Sequence, residues 1–198
     1  MRLAMVKLGV LGSGKGSNFA ALLAGISSGQ ISASVEIVLS DNAEAGILDL
    51  ARNANIPAGT IDESRFKTRL SDDIEASVAE RLKAANVELL VLAGYMRMVK
   101  TPLLEAFPHR MINIHPSLLP QFPGLEAWKQ ALEAGATETG CTVHYVDDGM
   151  DTGEIIAQER VAILPGDSAA SLHARIQEAE HRLLPRVVAE ICVEISGL

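Results

Sequence analysis

The chain has 198 residues and a formal net charge of −8, and 48% of its residues are hydrophobic but only 4% aromatic. This length favours one domain, residues 1–198, with an aliphatic core large enough to be stable without disulfide bonds or a structural metal ion. The acidic balance argues against a nucleic-acid-binding surface, which needs a basic patch. No apolar run approaches the ~20 residues that span a bilayer. We expect no nucleic-acid or membrane partner.

The cysteines and the first residues indicate the compartment. Cys141 and Cys192 are the only two cysteines, and neither lies in a zinc-binding spacing. The opening stretch from Met1 to Lys7 is too short an apolar run for a secretory signal. We therefore expect a cytoplasmic, reduced and metal-free protein. The sequence does not decide its oligomeric state, and both a monomer and a homodimer stay open.

A strand, a glycine-rich loop and a helix follow one another at the start of the chain. Val6–Leu11 is a short apolar run typical of a central parallel strand, and residues 12–18 read GSGKGSN. This arrangement points backbone N–H groups at a phosphate. Neither the dinucleotide fingerprint nor the Walker pattern is satisfied, so a single phosphate fits better than NAD or ATP. The candidate phosphate-binding residues are Gly16, Ser17 and Asn18, and the alternative is a tight turn with a capping Ser or Asn.

The chain up to residue 115 alternates between strand and helix patterns. This alternation predicts a parallel sheet with right-handed crossovers. The patterns that we assign are a strand at 35–39, a helix at 43–53 capped by residues 40–42, a strand at 58–61, a polar loop at 62–68, a helix at 70–85 and a strand at 87–93. Asp41 lies where a ribose would bind in a Rossmann enzyme, but a capping role explains it equally well.

The remaining third of the chain has a different pattern. We predict a helix at 125–133, a half-exposed strand at 139–146, an acidic turn at 147–153, a returning strand at 154–163 and a closing helix at 168–191 that Pro185 should kink or restart. The two strands would form an antiparallel hairpin. The fold class is therefore α/β, a Rossmann-like open sheet that is mostly parallel, with an antiparallel C-terminal extension and helices on both faces.

Asn113 and His115 are the most informative pair. They lie two apart at the end of the apolar run that begins at Met111, so their side chains should project from the same face of a strand. Pro116 cannot continue the ladder, so the strand should end there. An amide donor beside an imidazole suits oxyanion stabilisation and proton transfer. The alternative is a structural histidine beside a turn-capping asparagine.

Other candidate residues should gather at the same sheet edge, where ligands of parallel sheets bind. Asp151 in the acidic turn could pair with His115, favouring the imidazolium and fixing the ring. Glu180 lies on the apolar stripe of the closing helix and needs a partner, either Arg175, Arg182 or a ligand ammonium. Met96, Met98 and Val99 could line the site of a flat ring or simply pack in the core. Arg69 could hold an anionic ligand group or be solvated.

These motifs together resemble one family. The stretches SGKGSN at 13–18, LAGYMR at 92–97, NIHPSLLP at 113–120, PGL at 123–125 and DTG at 151–153 are similar to those of the phosphoribosylglycinamide formyltransferases. These are the folate-dependent glycinamide ribonucleotide transformylases of purine synthesis. The resemblance covers essentially the whole chain in order. It implies the formyltransferase-type fold, with 10-formyltetrahydrofolate as co-substrate, glycinamide ribonucleotide as acceptor and no metal.

The resemblance also implies roles for individual residues. Asn113 and His115 would stabilise the oxyanion, and Asp151 would tune His115 and help proton transfer. The residues implied to bind glycinamide ribonucleotide are Gly16, Ser17, Asn18, Gln177 and Glu180. The residues implied to bind the folate are Met96, Arg97, Met98, Val99, Val146 and Asp147, with Arg69 facing its glutamate tail.

Two positions depart from the family pattern. The family often has histidine where this chain has Glu126, and asparagine or arginine where it has Lys15. Neither departure touches Asn113, His115 or Asp151, and the transformylase is the leading hypothesis. One alternative is another formyltetrahydrofolate user, a deformylase or a formyltransferase for a different amine, against which the phosphate loop and Glu180 argue. The other is a nucleotide-binding module without chemistry, against which Asn113, His115 and Asp151 argue.

Overall fold

A computed structural model describes residues 5–61 and 68–197. The opening stretch and the polar loop predicted at 62–68 lie largely outside the described residues. The strands are β1 (Val6–Leu11), β2 (Ala33–Ser40), β3 (Ala58–Thr60), β4 (Leu89–Leu92), β5 (Met111–His115), β6 (Glu138–Tyr145) and β7 (Ile155–Ala162). The helices are α1 (Ser17–Ser27), α2 (Gly46–Asn53), α3 (Asp72–Ala84), α4 (Thr101–Ala106), α5 (Ala127–Glu133) and α6 (Ala169–Ser196).

The described strands form one seven-stranded sheet in the order β3-β2-β1-β4-β5-β6-β7. All pairs from β3 to β5 are parallel. The pairs β5–β6 and β6–β7 are antiparallel. This confirms the predicted mostly parallel sheet with an antiparallel C-terminal extension. The change of direction lies next to β5, the strand that bears Asn113 and His115.

Helices cover both faces of the sheet because the central strands are apolar on both sides. In β4, Leu89 and Val91 pack with the helices α1, α2 and α6, whereas Leu90 and Leu92 pack with α3 and α4. Such two-sided burial is typical of parallel strands joined by helical crossovers. The predicted helices on both faces are confirmed.

The prediction that β6 is half-exposed is wrong. Residues 139–144 are all buried, including Thr142 and His144 on the face expected to meet solvent. The sequence alternates because β6 has apolar residues on its α6 side and hydrogen-bonding residues on the other. That second side is covered by the loop after β5, where Leu119 N donates to Thr142 Oγ1 at 3.1 Å.

Several predicted helix boundaries also differ from the structure. α2 begins at Gly46 rather than residue 43, because Asn42 forms a local turn in which its Oδ1 accepts from Glu44 N. α6 continues to Ser196, five residues beyond the prediction, and passes through Pro185 without an assigned break. Ser168 caps α6 and forms a capping box with Ser171.

The core between α6 and the sheet should dominate stability. Leu183 is fully buried on α6, so Leu183→Ala is expected to lower the free energy of unfolding by about 2–5 kcal/mol. Leu164→Ala is the matched control, because Leu164 is 51% exposed just before the same helix. Urea unfolding of both variants measures the difference. Equal losses would show that α6 does not anchor the core in this way.

Candidate active site

Asn113 and His115 lie at the carboxyl end of β5, as the sequence predicts. His115 is 5% exposed and Asn113 is half-buried. β5 is held on one side by β4 and on the other by β6, where Asn113 is opposite His144 and His115 is opposite Thr142. Both side chains are therefore fixed by strand pairing rather than by a loop.

Asp151 lies in the turn between β6 and β7, in a backbone conformation that few residues adopt. Its φ is 54°, in the left-handed region that Asp tolerates better than most residues. Gly153 follows because a Cβ there would lie 1.8 Å from the carbonyl oxygen of Tyr145. The turn thus folds back tightly on the end of β6 and directs the Asp151 carboxylate towards β5.

The Asp151 carboxylate joins the predicted catalytic residues into one cluster. Its Oδ2 is 3.3 Å from His115 Nδ1 and accepts from Gly124 N at 2.8 Å. Its Oδ1 is 3.5 Å from Asn113 Nδ2. The predicted pairing of Asp151 with His115 is therefore present in the structure. The second ring nitrogen of His115 donates to the carbonyl oxygen of Phe122 at 2.9 Å.

The two ionisable members of this pair are shifted by burial and by each other. Burial lowers the pKa of His115, and the nearby Asp151 charge and Phe122 carbonyl oppose this effect without reversing it. Burial also acts to raise the pKa of Asp151, but His144, His115 and the Gly124 N–H together hold that pKa below its ordinary value. The expected preference of Asp151 for the imidazolium is thus present but is outweighed by desolvation.

The sequence reasoning assigned no role to His144. This residue is 2% exposed, and its Nε2 lies 3.1 Å from Asn113 Nδ2 and 3.7 Å from Asp151 Oδ1. The available signal was its position three residues before the acidic turn, on a strand next to β5. The alternation in β6 led instead to an exposed placement, which is wrong.

The loop after β5 is held against the sheet by a second group that sequence reasoning did not assign. Thr142 Oγ1 donates to the carbonyl oxygen of Ser117 at 2.7 Å and accepts from Leu119 N and Gln158 Nε2. Thr142 is fully buried. These bonds fix the loop whose later residues contact His115 and Asp151.

The candidate phosphate loop has the predicted geometry. α1 begins at Ser17, and Gly16 precedes it with a φ of 82°. Glycine is required there because of the positive φ and because a Cβ would lie 2.9 Å from Ile47. The first N–H groups of a helix have no partner within it, so the start of α1 can bind an anion. Lys15 is exposed beside it.

Glu180 has a different partner from both arginines that the sequence suggested. Asn18 Nδ2 donates to Glu180 Oε2 at 3.0 Å. Arg175 instead pairs with Asp167, and Arg182 pairs with Glu159. Glu180 is 5% exposed, and burial raises its pKa to about 7 although the Asn18 bond acts in the opposite direction. Gln177 is half-buried one turn earlier on α6.

The residues expected to bind a folate differ in exposure. Met96 is 58% exposed, whereas Val99 is 5% exposed and packs with the α3–α4 core, so Val99 contributes to core packing. Arg69 is exposed and its backbone bridges that of Met98. The others, Arg97, Met98, Val146 and Asp147, are half-buried.

Asp41 links the phosphate loop to the loop after β4. Its carboxylate accepts from Ser13 Oγ at 2.6 Å and from Arg97 Nε at 2.6 Å. Ser13 Oγ in turn accepts from Met96 N at 3.0 Å. The capping role suggested for Asp41 is therefore not the one that its side chain has in the structure.

The described residues contain neither a membrane-spanning helix nor a metal-binding cluster. None of the described helices is both long and apolar enough to span a membrane. Within residues 5–61 and 68–197, no group of three or more His, Cys, Asp or Glu side chains is arranged to hold a metal ion.

Comparisons with known proteins agree on one family. A family model described as formyl transferase matches residues 6–188. The phosphoribosylglycinamide formyltransferase of Bacillus subtilis is 39% identical over 94% of this chain and 95% of its own length. The trifunctional purine biosynthetic protein adenosine-3 of Drosophila pseudoobscura is 50% identical over 92% of this chain, but the chain spans only 13% of that protein.

A solved structure shows the same fold. The glycinamide ribonucleotide transformylase 1 of Symbiobacterium toebii superposes with a TM-score of 0.91 and 47% identity, covering 96% of this chain and 89% of that one. The family model and the near full-length bacterial relative agree with this fold. The chain therefore belongs to the formyl transferase family and, within it, to the phosphoribosylglycinamide formyltransferases.

Proposed function

We propose that this protein transfers the formyl group of 10-formyltetrahydrofolate to the amine of glycinamide ribonucleotide. The products would be formylglycinamide ribonucleotide and tetrahydrofolate. The observation that carries this proposal is the cluster of Asn113, His115 and Asp151 at the carboxyl end of β5. The Asp151 carboxylate lies 3.3 Å from His115 Nδ1 and 3.5 Å from Asn113 Nδ2. Family membership supports the choice of donor and acceptor.

The reaction needs one N–C bond to form and another to break. The substrate amine attacks the formyl carbon, the C=O electron pair moves to oxygen, and the oxyanion is stabilised by Asn113 Nδ2 and His115. When the carbonyl re-forms, the bond between the formyl carbon and the folate nitrogen breaks. The attacking amine loses one proton, and the folate nitrogen gains one. Such preorganised donors act on the charge that develops only in the transition state.

His115 and Asp151 are suited to move that proton. A base or acid works best when its pKa lies near the working pH. Burial alone would keep the His115 ring neutral, and the Asp151 carboxylate makes its protonation easier. Because Nε2 donates to the Phe122 carbonyl, Nδ1 is the nitrogen that would accept a proton from the attacking nitrogen, and Asp151 Oδ2, 3.3 Å away, would stabilise the resulting cation until the proton passes to the leaving nitrogen.

The acceptor would bind between α1 and α6. The N–H groups of Ser17 and Asn18 at the start of α1 would hold its phosphate, with Gly16 allowing close approach and Lys15 adding positive charge. The buried Glu180 carboxylate, with Gln177 one turn away, would receive the amine or the ribose. A buried carboxylate next to Asn18 is a site that a ligand ammonium or hydroxyl would stabilise.

The donor would bind at the loop after β4 and the acidic turn. The exposed face of Met96 offers an apolar surface for the flat pterin. Met98, Arg97, Val146 and Asp147 would complete this surface, and Arg69 would face the glutamate tail. Val99 would support it from the core beneath.

Turnover should require both substrates. We expect purified protein to release the folate product, measured by absorbance, only when 10-formyltetrahydrofolate and glycinamide ribonucleotide are both present, with each omitted in turn as the control. Release without the ribonucleotide would identify a deformylase. Release with a different amine would change the acceptor, and no release in any mixture would leave a binding module.

The charge of Asp151 should set the pH range of activity. Asp151→Asn removes the charge that raises the pKa of His115, so the acid limb of the kcat profile, where the ring becomes protonated, should move to lower pH; kcat at pH 8 should also fall by about 100-fold, because the cation that forms when the ring accepts a proton is no longer stabilised. Asp148→Asn is the matched control, since Asp148 is exposed in the same turn. A pH–rate series measures both variants. An unchanged profile in Asp151→Asn would disprove the assigned role.

Burial of Glu180 should make stability depend on pH. Burial raises its pKa in the folded protein to about 7, above the ordinary value of 4.5 that it has in the unfolded chain. Between these values the folded protein holds a proton that the unfolded chain releases, so stability should fall as pH rises from 4.5 to 7 and then level off. In the wild type, the free energy of unfolding should fall by on the order of 3 kcal/mol over this range, and Glu180→Gln should abolish this pH dependence.

Urea unfolding from pH 4.5 to pH 8 measures this dependence. The control is Glu178→Gln, because Glu178 is an exposed carboxylate on the same helix. If the wild type and Glu180→Gln lose stability in parallel with pH, Glu180 is not the group responsible.

A further inference from the structure

His144 is buried at the active site, yet the proposed mechanism gives it no role. It lies on β6 directly opposite Asn113 in the antiparallel register and is only 2% exposed. Burying a polar ring costs free energy unless both nitrogens have partners. Both have partners here, and these partners determine what the ring can do.

The contacts of His144 fix its proton on one nitrogen. Nδ1 is 2.7 Å from the carbonyl oxygen of Tyr145. A carbonyl oxygen can only accept, so the neutral ring must have its proton on Nδ1. Nε2 is then left with a lone pair, and it lies 3.1 Å from Asn113 Nδ2. Asn113 Nδ2 is therefore the donor in this bond.

Two acceptors together determine which way the Asn113 amide faces. One is His144 Nε2, and the other is Asp151 Oδ1, 3.5 Å from Asn113 Nδ2. If the amide rotated by a half-turn, its carbonyl oxygen would face both a lone pair and a carboxylate, which are repulsive contacts. The NH2 group is thus held on the side of Asp151 and His115. One of its hydrogens is donated to His144 Nε2 at 3.1 Å, whereas the other makes only the 3.5 Å contact with Asp151 Oδ1.

We propose that His144 is a positioning residue for formyl transfer: its Nε2 lone pair holds the Asn113 amide so that an N–H, and not the carbonyl oxygen, faces the reacting group. This inference rests on the proposed oxyanion role of Asn113. Without His144, one acceptor is lost and the amide can turn its oxygen towards the developing negative charge. That orientation would raise the barrier rather than lower it.

Two conservative amides separate the two functions of the ring. In glutamine the side-chain amide extends as far as His Nε2, so His144→Gln can keep an acceptor for Asn113. In asparagine the amide extends only as far as Nδ1, so His144→Asn can keep the bond to the Tyr145 carbonyl but lacks the acceptor. Both variants are polar and smaller than or similar to histidine, so a difference between them reports the acceptor rather than packing.

The experiment measures kcat and KM for His144→Gln, His144→Asn, Asn113→Ala and the double variant Asn113→Ala/His144→Asn. We expect Asn113→Ala to lose about 100-fold in kcat, as when one oxyanion donor is removed. His144→Asn should lose at least about 10-fold in kcat with both KM values nearly unchanged, and His144→Gln should recover most of that loss. In the Asn113→Ala background, His144→Asn should cause no further loss.

The possible failures are distinct. The inference would be overturned if His144→Asn lowered kcat by the same factor in the wild type and in the Asn113→Ala variant. Equal kcat values for His144→Gln and His144→Asn would also overturn it. A His144→Asn variant as active as the wild type would also overturn it. Full activity of Asn113→Ala would instead refute the assigned role of Asn113, and absence of wild-type turnover would refute the proposed function. Thermal unfolding of each variant identifies any loss that arises from misfolding.

Discussion

The antiparallel pairing of β5 with β6 is the constraint on which the site depends. It places Asn113 opposite His144 and His115 opposite Thr142. His144 Nε2 then lies 3.1 Å from Asn113 Nδ2, and Thr142 holds the loop that follows His115. A slip of one residue would turn all of these side chains to the other face of the sheet. The same pairing sends the chain into the turn that brings Asp151 back to His115. One register thus assembles the whole cluster.

Within this cluster, the buried charge of Asp151 is stabilised by several weak partners rather than by one strong ion pair. The Gly124 N–H donates to it at 2.8 Å, and His115 Nδ1 and Asn113 Nδ2 lie 3.3 Å and 3.5 Å away. Each partner lowers the cost of keeping the carboxylate ionised in a half-buried place. The left-handed backbone of Asp151 is a further cost, and the close packing at Gly153 holds it in place. The turn therefore has a fixed shape that holds the Asp151 carboxylate in place.

Much of this arrangement could be predicted from the sequence, because it depends on local patterns. Apolar runs and their order indicate the parallel sheet, and the two-residue spacing of Asn113 and His115 places them on one face. The errors came from tertiary contacts that no local pattern contains. The alternation in β6 wrongly predicts that His144 is at the surface, because the loop after β5 covers the polar face of the strand and buries it. Similarly, Asn18 rather than an arginine pairs with Glu180, although the two are far apart in the chain.

The contacts of Asp41 add a connection between the two proposed substrate sites. Its carboxylate joins Ser13 of the phosphate loop to Arg97 of the loop after β4, and the Arg97–Asp41 ion pair is largely shielded from water. A transfer reaction needs its two substrates held at a fixed separation, because most of the gain from proximity is lost with small displacements. Neither loop alone sets that separation. Since Ser13 also accepts from Met96 N, the two loops are joined as one unit, and the acceptor and donor would meet at a distance set by the protein before either binds.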